Sequence, residues 1–77
     1  MKLTISKIDK VLFSGDAESV SVPGADGMMT ILSHHMPIIT TLKQGSIVVK
    51  TKDEKPVLIT IDRGFLEVGK TETVILL

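Results

Sequence analysis

Apolar and polar side chains alternate with a period of two along most of the chain. Leu3 and Ile5 alternate with Lys2, Thr4 and Ser6, and Val20 and Val22 with Ser19 and Ser21. Ile47 and Val49 share one side of their segment, with Val48 and Lys50 on the other. Val57, Ile59 and Ile61 alternate with Leu58, Thr60 and Asp62, and Thr73 to Leu77 is a last β-rich run. Successive side chains on extended backbone point to opposite sides, so this period predicts strands. β-Branched residues fill these runs, as a pleated surface favours. Turn residues punctuate them at Ser14-Gly15-Asp16, Pro23-Gly24-Ala25-Asp26-Gly27, Lys43-Gln44-Gly45, Lys52-Asp53-Glu54-Lys55 and Gly69-Lys70. Short strands at such spacing predict one all-β domain over residues 1–77, a sandwich or barrel. Met28 to Leu42 comes nearest to a helical period, but Pro37 interrupts it and Thr40-Thr41 favours strand.

Several runs are apolar on both faces, as at Ile31-Leu32, Ile38-Ile39, Phe65-Leu66 and Val57-Leu58-Ile59. A strand with one wet face should alternate cleanly. The second apolar face is therefore either covered locally or offered to a partner. Composition sharpens this. Apolar residues make up 43% of 77, a high share for so small an interior. Nine basic and nine acidic residues cancel, and Phe13 and Phe65 are the only aromatics, which argues against a nucleic-acid binder. There is no cysteine, so neither a disulfide framework nor a thiolate metal site is available. Met1 to Thr4 does not open a signal peptide, and no apolar run approaches the ~20 residues of a membrane helix.

The motifs favour structure over chemistry. Gly64 to Thr71 matches the phosphate-binding pattern G-x-x-x-x-G-K-[ST] letter for letter. Its middle residues, Phe65 to Val68, are strand formers, and Glu72 to Leu77 are strand-like too. A strand, a turn at Gly69-Lys70 and a final strand is the preferred reading. His34-His35 would point to opposite sides of an extended chain, so one metal cannot easily take both. Asp16, Glu18 and Asp26 could add oxygen ligands, but no spacing fixes them. Ser33 precedes His34 without a triad or nucleophile elbow. Met28, Met29 and Met36 fill a core or serve an adaptable contact.

From Val22 to Ile39 the sequence resembles the N-terminal domain of the epsilon subunit of F-type ATP synthases. Pro23, Gly24, Gly27, Ile31, Leu32, His35, Pro37, Thr40, Leu42 and Gly45 fall in register with that family's pattern. Phe13-Ser14-Gly15 and Gly64-Phe65-Leu66-Glu67-Val68 match its flanking motifs. Thr30, Arg63 and Met28 depart from it, where the family usually has glycine, glycine and an acidic residue. The resemblance implies a flattened β-sandwich of about ten short strands in two sheets. It implies a non-catalytic central-stalk subunit that couples gamma to the membrane c-ring during proton-driven ATP synthesis. No catalytic residue, cofactor or metal is implied. The complex would lie at the cytoplasmic face of a bacterial plasma membrane, peripheral to it, and the isolated chain would be a monomer. Family members usually continue into a helical hairpin, and this chain is expected to stop short of it. On the resemblance, Leu12, Pro37, Ile39 and Phe65 contact gamma. The loop from Asp26 to His35 faces the c-ring through Asp26, Gly27, Met28, Met29, His34 and His35. The rival reading is a free-standing sandwich for a small ligand, which would need a closed concave pocket instead of a flat patch.

Overall fold

The computed structural model describes residues 1–77. It contains nine strands and no helix: β1 (Lys2–Lys7), β2 (Lys10–Asp16), β3 (Ser19–Gly24), β4 (Gly27–Leu32), β5 (Ile38–Leu42), β6 (Gly45–Lys50), β7 (Val57–Ile61), β8 (Gly64–Val68) and β9 (Glu72–Leu76). One phase of the alternation builds the interior. Leu3, Ile5, Val20, Val22, Ile31, Ile47, Val49, Leu66 and Ile75 are all fully buried and belong to one core cluster.

The strands form one hydrogen-bonded sheet in the order β2-β1-β9-β8-β5-β3-β6-β7, with β4 also paired to β3. All pairs are antiparallel except β1 with β9, which run parallel and place Leu3 beside Thr73 and Ile5 beside Ile75. The run β2-β1-β9-β8-β5 meets the run β4-β3-β6-β7 through a single pair of residues, Gly24 and Leu42. Two backbone bonds flank that joint, from Ala25 N–H to the Thr41 carbonyl at 3.1 Å and from Lys43 N–H to the Pro23 carbonyl at 2.9 Å. The sheet curls there, and both runs close over the same core. The architecture is thus all-β as expected, with nine strands in one continuous curled sheet in place of about ten in two.

The joint explains two glycines. A Cβ on Gly24 would sit 2.9 Å from both the Gly27 carbonyl oxygen and the Met29 sulfur. Gly45 has φ +158°, and a Cβ there would meet Pro23 Cβ at 2.9 Å. Thr30 and Arg63, where the resemblance would place glycine, need no such freedom, since His34 is the only non-glycine with positive φ.

Two local expectations fail. Asp26 to His35 is not one loop: Ala25-Asp26 is a turn, β4 occupies Gly27–Leu32, and a second turn comes after it. Nor does Leu12, expected to contact gamma, take an outward position. The β1–β2 register slips between Ile5, which pairs with Phe13, and Ser6, which pairs with Val11. Leu12 is the extra residue of that bulge. It and Phe13 are both half-buried against the core, and Val11 takes the exposed position.

Candidate functional site

The other phase of the alternation faces out from the run β2-β1-β9-β8-β5. Cross-strand register aligns its residues in rows. One row reads Thr41, Phe65, Leu76, Ser6, Val11 across β5, β8, β9, β1 and β2. The next reads Ile39, Glu67, Val74, Thr4, Ser14. Directly opposed residues have Cβ atoms about 4.5–5.5 Å apart, so Phe65 and Leu76 form one apolar unit. Ile39 lies diagonally beside Phe65. All three are large apolar side chains left exposed, with Ile39 at 70%, Phe65 at 56% and Leu76 at 54%. A shallow depression of about 170 Å³ lies among Ile39, Phe65, Leu66, Glu67, Val74 and Leu76. A broader, more open one beside it is bordered by Pro37, Ile39, Glu67 and Lys70.

Three of the four residues expected to contact gamma therefore share one surface: Pro37, Ile39 and Phe65. Leu12 does not join them, because the bulge turns it onto the core. Parity holds within Ile38-Ile39 and Phe65-Leu66. Ile38 packs on the core, and Leu66 has no exposure at all. Leu76 and Val11 join the surface without having been expected there. Parity within β9 is the signal for Leu76, since Thr73 and Ile75 take the inner side. Val11 is hidden by the bulge.

The six residues expected at the c-ring fall into two groups. Asp26 and Gly27 lie at the end of the domain where β3 turns into β4, close to the start of β6, where Gly45 approaches Pro23. His34 and His35 lie past the opposite end of β4, about 20 Å away for six extended residues. Met28 points outward and is 66% exposed, whereas Met29 packs on the core. His34 sits in the turn with φ +67°. His35 Nδ1–H donates to the Met36 carbonyl at 2.7 Å, which fixes the tautomer.

The chemistry-bearing motifs are also placed. Phe65 to Val68 lie within β8, paired with β5 on one side and β9 on the other, so their amides cannot converge on a phosphate. The Gly69 N–H donates to the Glu72 carbonyl at 2.8 Å and closes an ordinary strand-to-strand turn. Asp16 and Glu18 border an open polar depression of about 500 Å³ with Thr51, Asp53 and Glu54. Asp26 lies at the other end of the domain, so these three carboxylates do not meet. No three His, Cys, Asp or Glu side chains are grouped closely enough to hold a metal ion.

Comparison with known proteins agrees with this picture. The family model described as ATP synthase, Delta/Epsilon chain, beta-sandwich domain matches residues 1–77. An ATP synthase epsilon chain of Protochlamydia amoebophila is 36% identical over 74 residues, covering 96% of this chain and 50% of that one. One from Brevibacillus brevis is 35% identical, covering 97% and 58%. One from Chlorobium limicola is 35% identical, covering 97% and 85%. The chain thus spans about half the length of the first two relatives. Among solved structures, a chain in the Euglena gracilis mitochondrial ATP synthase OSCP/F1/c-ring assembly superimposes with a TM-score of 0.91 at 20% identity, over 99% of this chain and 49% of that one. A chain of the Tetrahymena thermophila mitochondrial ATP synthase central stalk and c-ring gives 0.83 at 15%, over 97% and 60%. At these identities the likeness shows the fold.

Proposed function

Because the chain belongs to the delta/epsilon β-sandwich family of ATP synthases, we propose that it is a non-catalytic rotor domain of an F-type enzyme. It grips the gamma subunit and rests on the c-ring, so that proton-driven rotation reaches the catalytic sector. It makes and breaks no bond itself. It works at the cytoplasmic face of a bacterial plasma membrane, held there through its partners.

One observation carries the reading: Ile39, Phe65 and Leu76 form a contiguous exposed apolar surface on a sheet face with little depth. The depressions on this face lie open to solvent, whereas a small-ligand pocket encloses most of its ligand, and an open apolar patch suits a protein surface. We assign gamma to this face, with Pro37 at its border and Leu76 added. His34 and His35 lie within three residues of Pro37 and border the same face. That leaves the c-ring to the opposite end, at Asp26, Gly27 and outward-facing Met28. Purified gamma subunit should co-elute with the chain on a sizing column. Separate elution at micromolar concentrations of both would refute the assignment.

A further inference from the structure

Three strands of the sheet, β2, β4 and β7, have a neighbour on one side only. Their free edges differ. β2 is kinked by its bulge and carries Lys10 and Asp16, which guard an edge against stray pairing. In β4 the inner Ile31 has no exposure, so the core is sealed on that side. β7 has neither guard nor seal. Its residues Val57-Leu58-Ile59-Thr60-Ile61 include no charge or proline, and all five pair with β6 in unbroken register. Val57 and Ile59 pack on the core yet stay only half-buried, although Val49 and Ile47 directly opposite on β6 have no exposure. β2 and β7 stand at the two ends of the strand order, and both rest on the one core without pairing with each other. A depression of about 500 Å³ joins Phe13, Asp16 and Glu18 on the β2 side to Asp53 and Glu54, just before β7. Another of about 210 Å³ joins Lys7 to Thr60, Asp62 and Arg63 at the end of β7. β7 thus borders an open seam of the curled sheet. The seam is acidic at the start of β7, where four carboxylates face Lys52, and basic at its end, where Lys7 and Arg63 outnumber Asp62. Glu18, Asp53 and Glu54 are exposed and have no ion pair within the chain.

We propose that the free edge of β7 accepts one extended segment of a partner protein, apolar at alternate positions and basic at the end that lies against Asp53 and Glu54. Main-chain bonds to a sheet edge supply affinity whatever the side chains, and the surroundings of the edge choose among sequences. Alternate side chains of an added strand point to the same side, so an apolar set completes the cover of Val57 and Ile59. The carboxylates at the mouth of the seam set the polarity. Antiparallel pairing is the more stable kind. It puts the C-terminal end of the segment at Val57, so its basic residues follow its apolar run. The edge shares no residue with the apolar face of β5, β8 and β9, and the proposal stands whether or not that face binds gamma.

The test uses three C-terminally amidated synthetic peptides. The first alternates valine and threonine and ends in a pair of arginines. The second ends in a pair of glutamates, and the third is the first with proline for its central valine. The arginine peptide should shift the amide resonances of β7 and slow exchange at alternate β7 amides, with Phe65 and Leu76 unmoved. The glutamate peptide should bind at least about tenfold more weakly. The proline peptide should not bind, because proline interrupts the ladder. Glu18→Lys, Asp53→Lys and Glu54→Lys combined, all at exposed positions, should reverse the preference between the arginine and glutamate peptides. Four results would each overturn the proposal: no change in β7 at about 1 mM arginine peptide, equal binding of the arginine and glutamate peptides, shifts centred on Phe65 and Leu76, or β7 amides protected by self-association of the chain, which would make a second copy the occupant.

Discussion

Replacing Ile39 by aspartate should separate binding from folding. Ile39 is 70% exposed, so most of its side chain is still available for burial by a partner. Full burial of such a side chain contributes about 1.5–3 kcal/mol, which leaves about 1–2 kcal/mol to be gained at an interface. An aspartate forfeits that gain and must also be desolvated without a cationic partner, since Glu67 is its cross-strand neighbour. Loss of affinity for gamma should therefore exceed tenfold, about 1.4 kcal/mol. The cost to the free domain is smaller. Strand preference spans about 1 kcal/mol, and the like charge opposite adds about 0.2–1 kcal/mol. Tm should fall by no more than about 16 °C, with the fold retained. Ile39→Lys tests the charge argument, because a lysine faces Glu67 favourably. It should melt higher than Ile39→Asp and still bind gamma more weakly than the parent. Leu66→Asp, at a position with no exposure, should abolish folding outright. Titration calorimetry with purified gamma and circular dichroism melts supply both readouts. If Ile39→Asp and Ile39→Lys both bind gamma within about twofold of the parent, roughly 0.4 kcal/mol, this face is not the gamma surface.

Lys70→Ala should leave nucleotide affinity unchanged and unmeasurable at moderate concentrations, because β8 commits the amides of Phe65 to Val68 to its two neighbours. A micromolar ATP affinity by calorimetry that the substitution removes would contradict the geometry. Gly45→Ala should destabilise by more than about 1 kcal/mol, since its Cβ would press on Pro23 at 2.9 Å; a denaturant midpoint equal to the parent's would show that the joint can yield. Cysteine at Met28 should crosslink to c-subunit loops in assembled enzyme and cysteine at His35 should not, because β4 holds them at opposite ends. The reverse pattern would exchange the two ends.

The strands and their inner faces are legible in the chain because alternation is local. A fully buried Ile47 beside half-buried Val48 follows from period two alone. Parity fails at Leu12 because a bulge inserts one residue, and bulges depend on the partner strand. β4 resembles a loop in sequence because Gly27, Met28 and Met29 are weak strand formers. Their pairing with Gly24, Pro23 and Val22 is what holds them extended. Pairings between distant segments, such as β1 with β9 or β3 with β6, leave no mark in either segment. Neither the Gly24–Leu42 joint nor the row from Phe65 through Leu76 to Val11 can be assembled without them. The apolar surplus is visible in the sequence, but its outline needs the register.

The parallel contact between β1 and β9 also governs the order in which the domain can be made. Leu3 and Ile5 are buried against Thr73 and Ile75, seventy residues later in the chain. Of the nine strands, β1 leaves the ribosome first and β9 last, so during synthesis the first hairpin has no inner neighbour. Joining such distant segments costs loop-closure entropy before any burial offsets it, which makes topologies of this kind slow folders. The core then closes only when the last strand is in place, in one late step instead of by stepwise growth from the N-terminus.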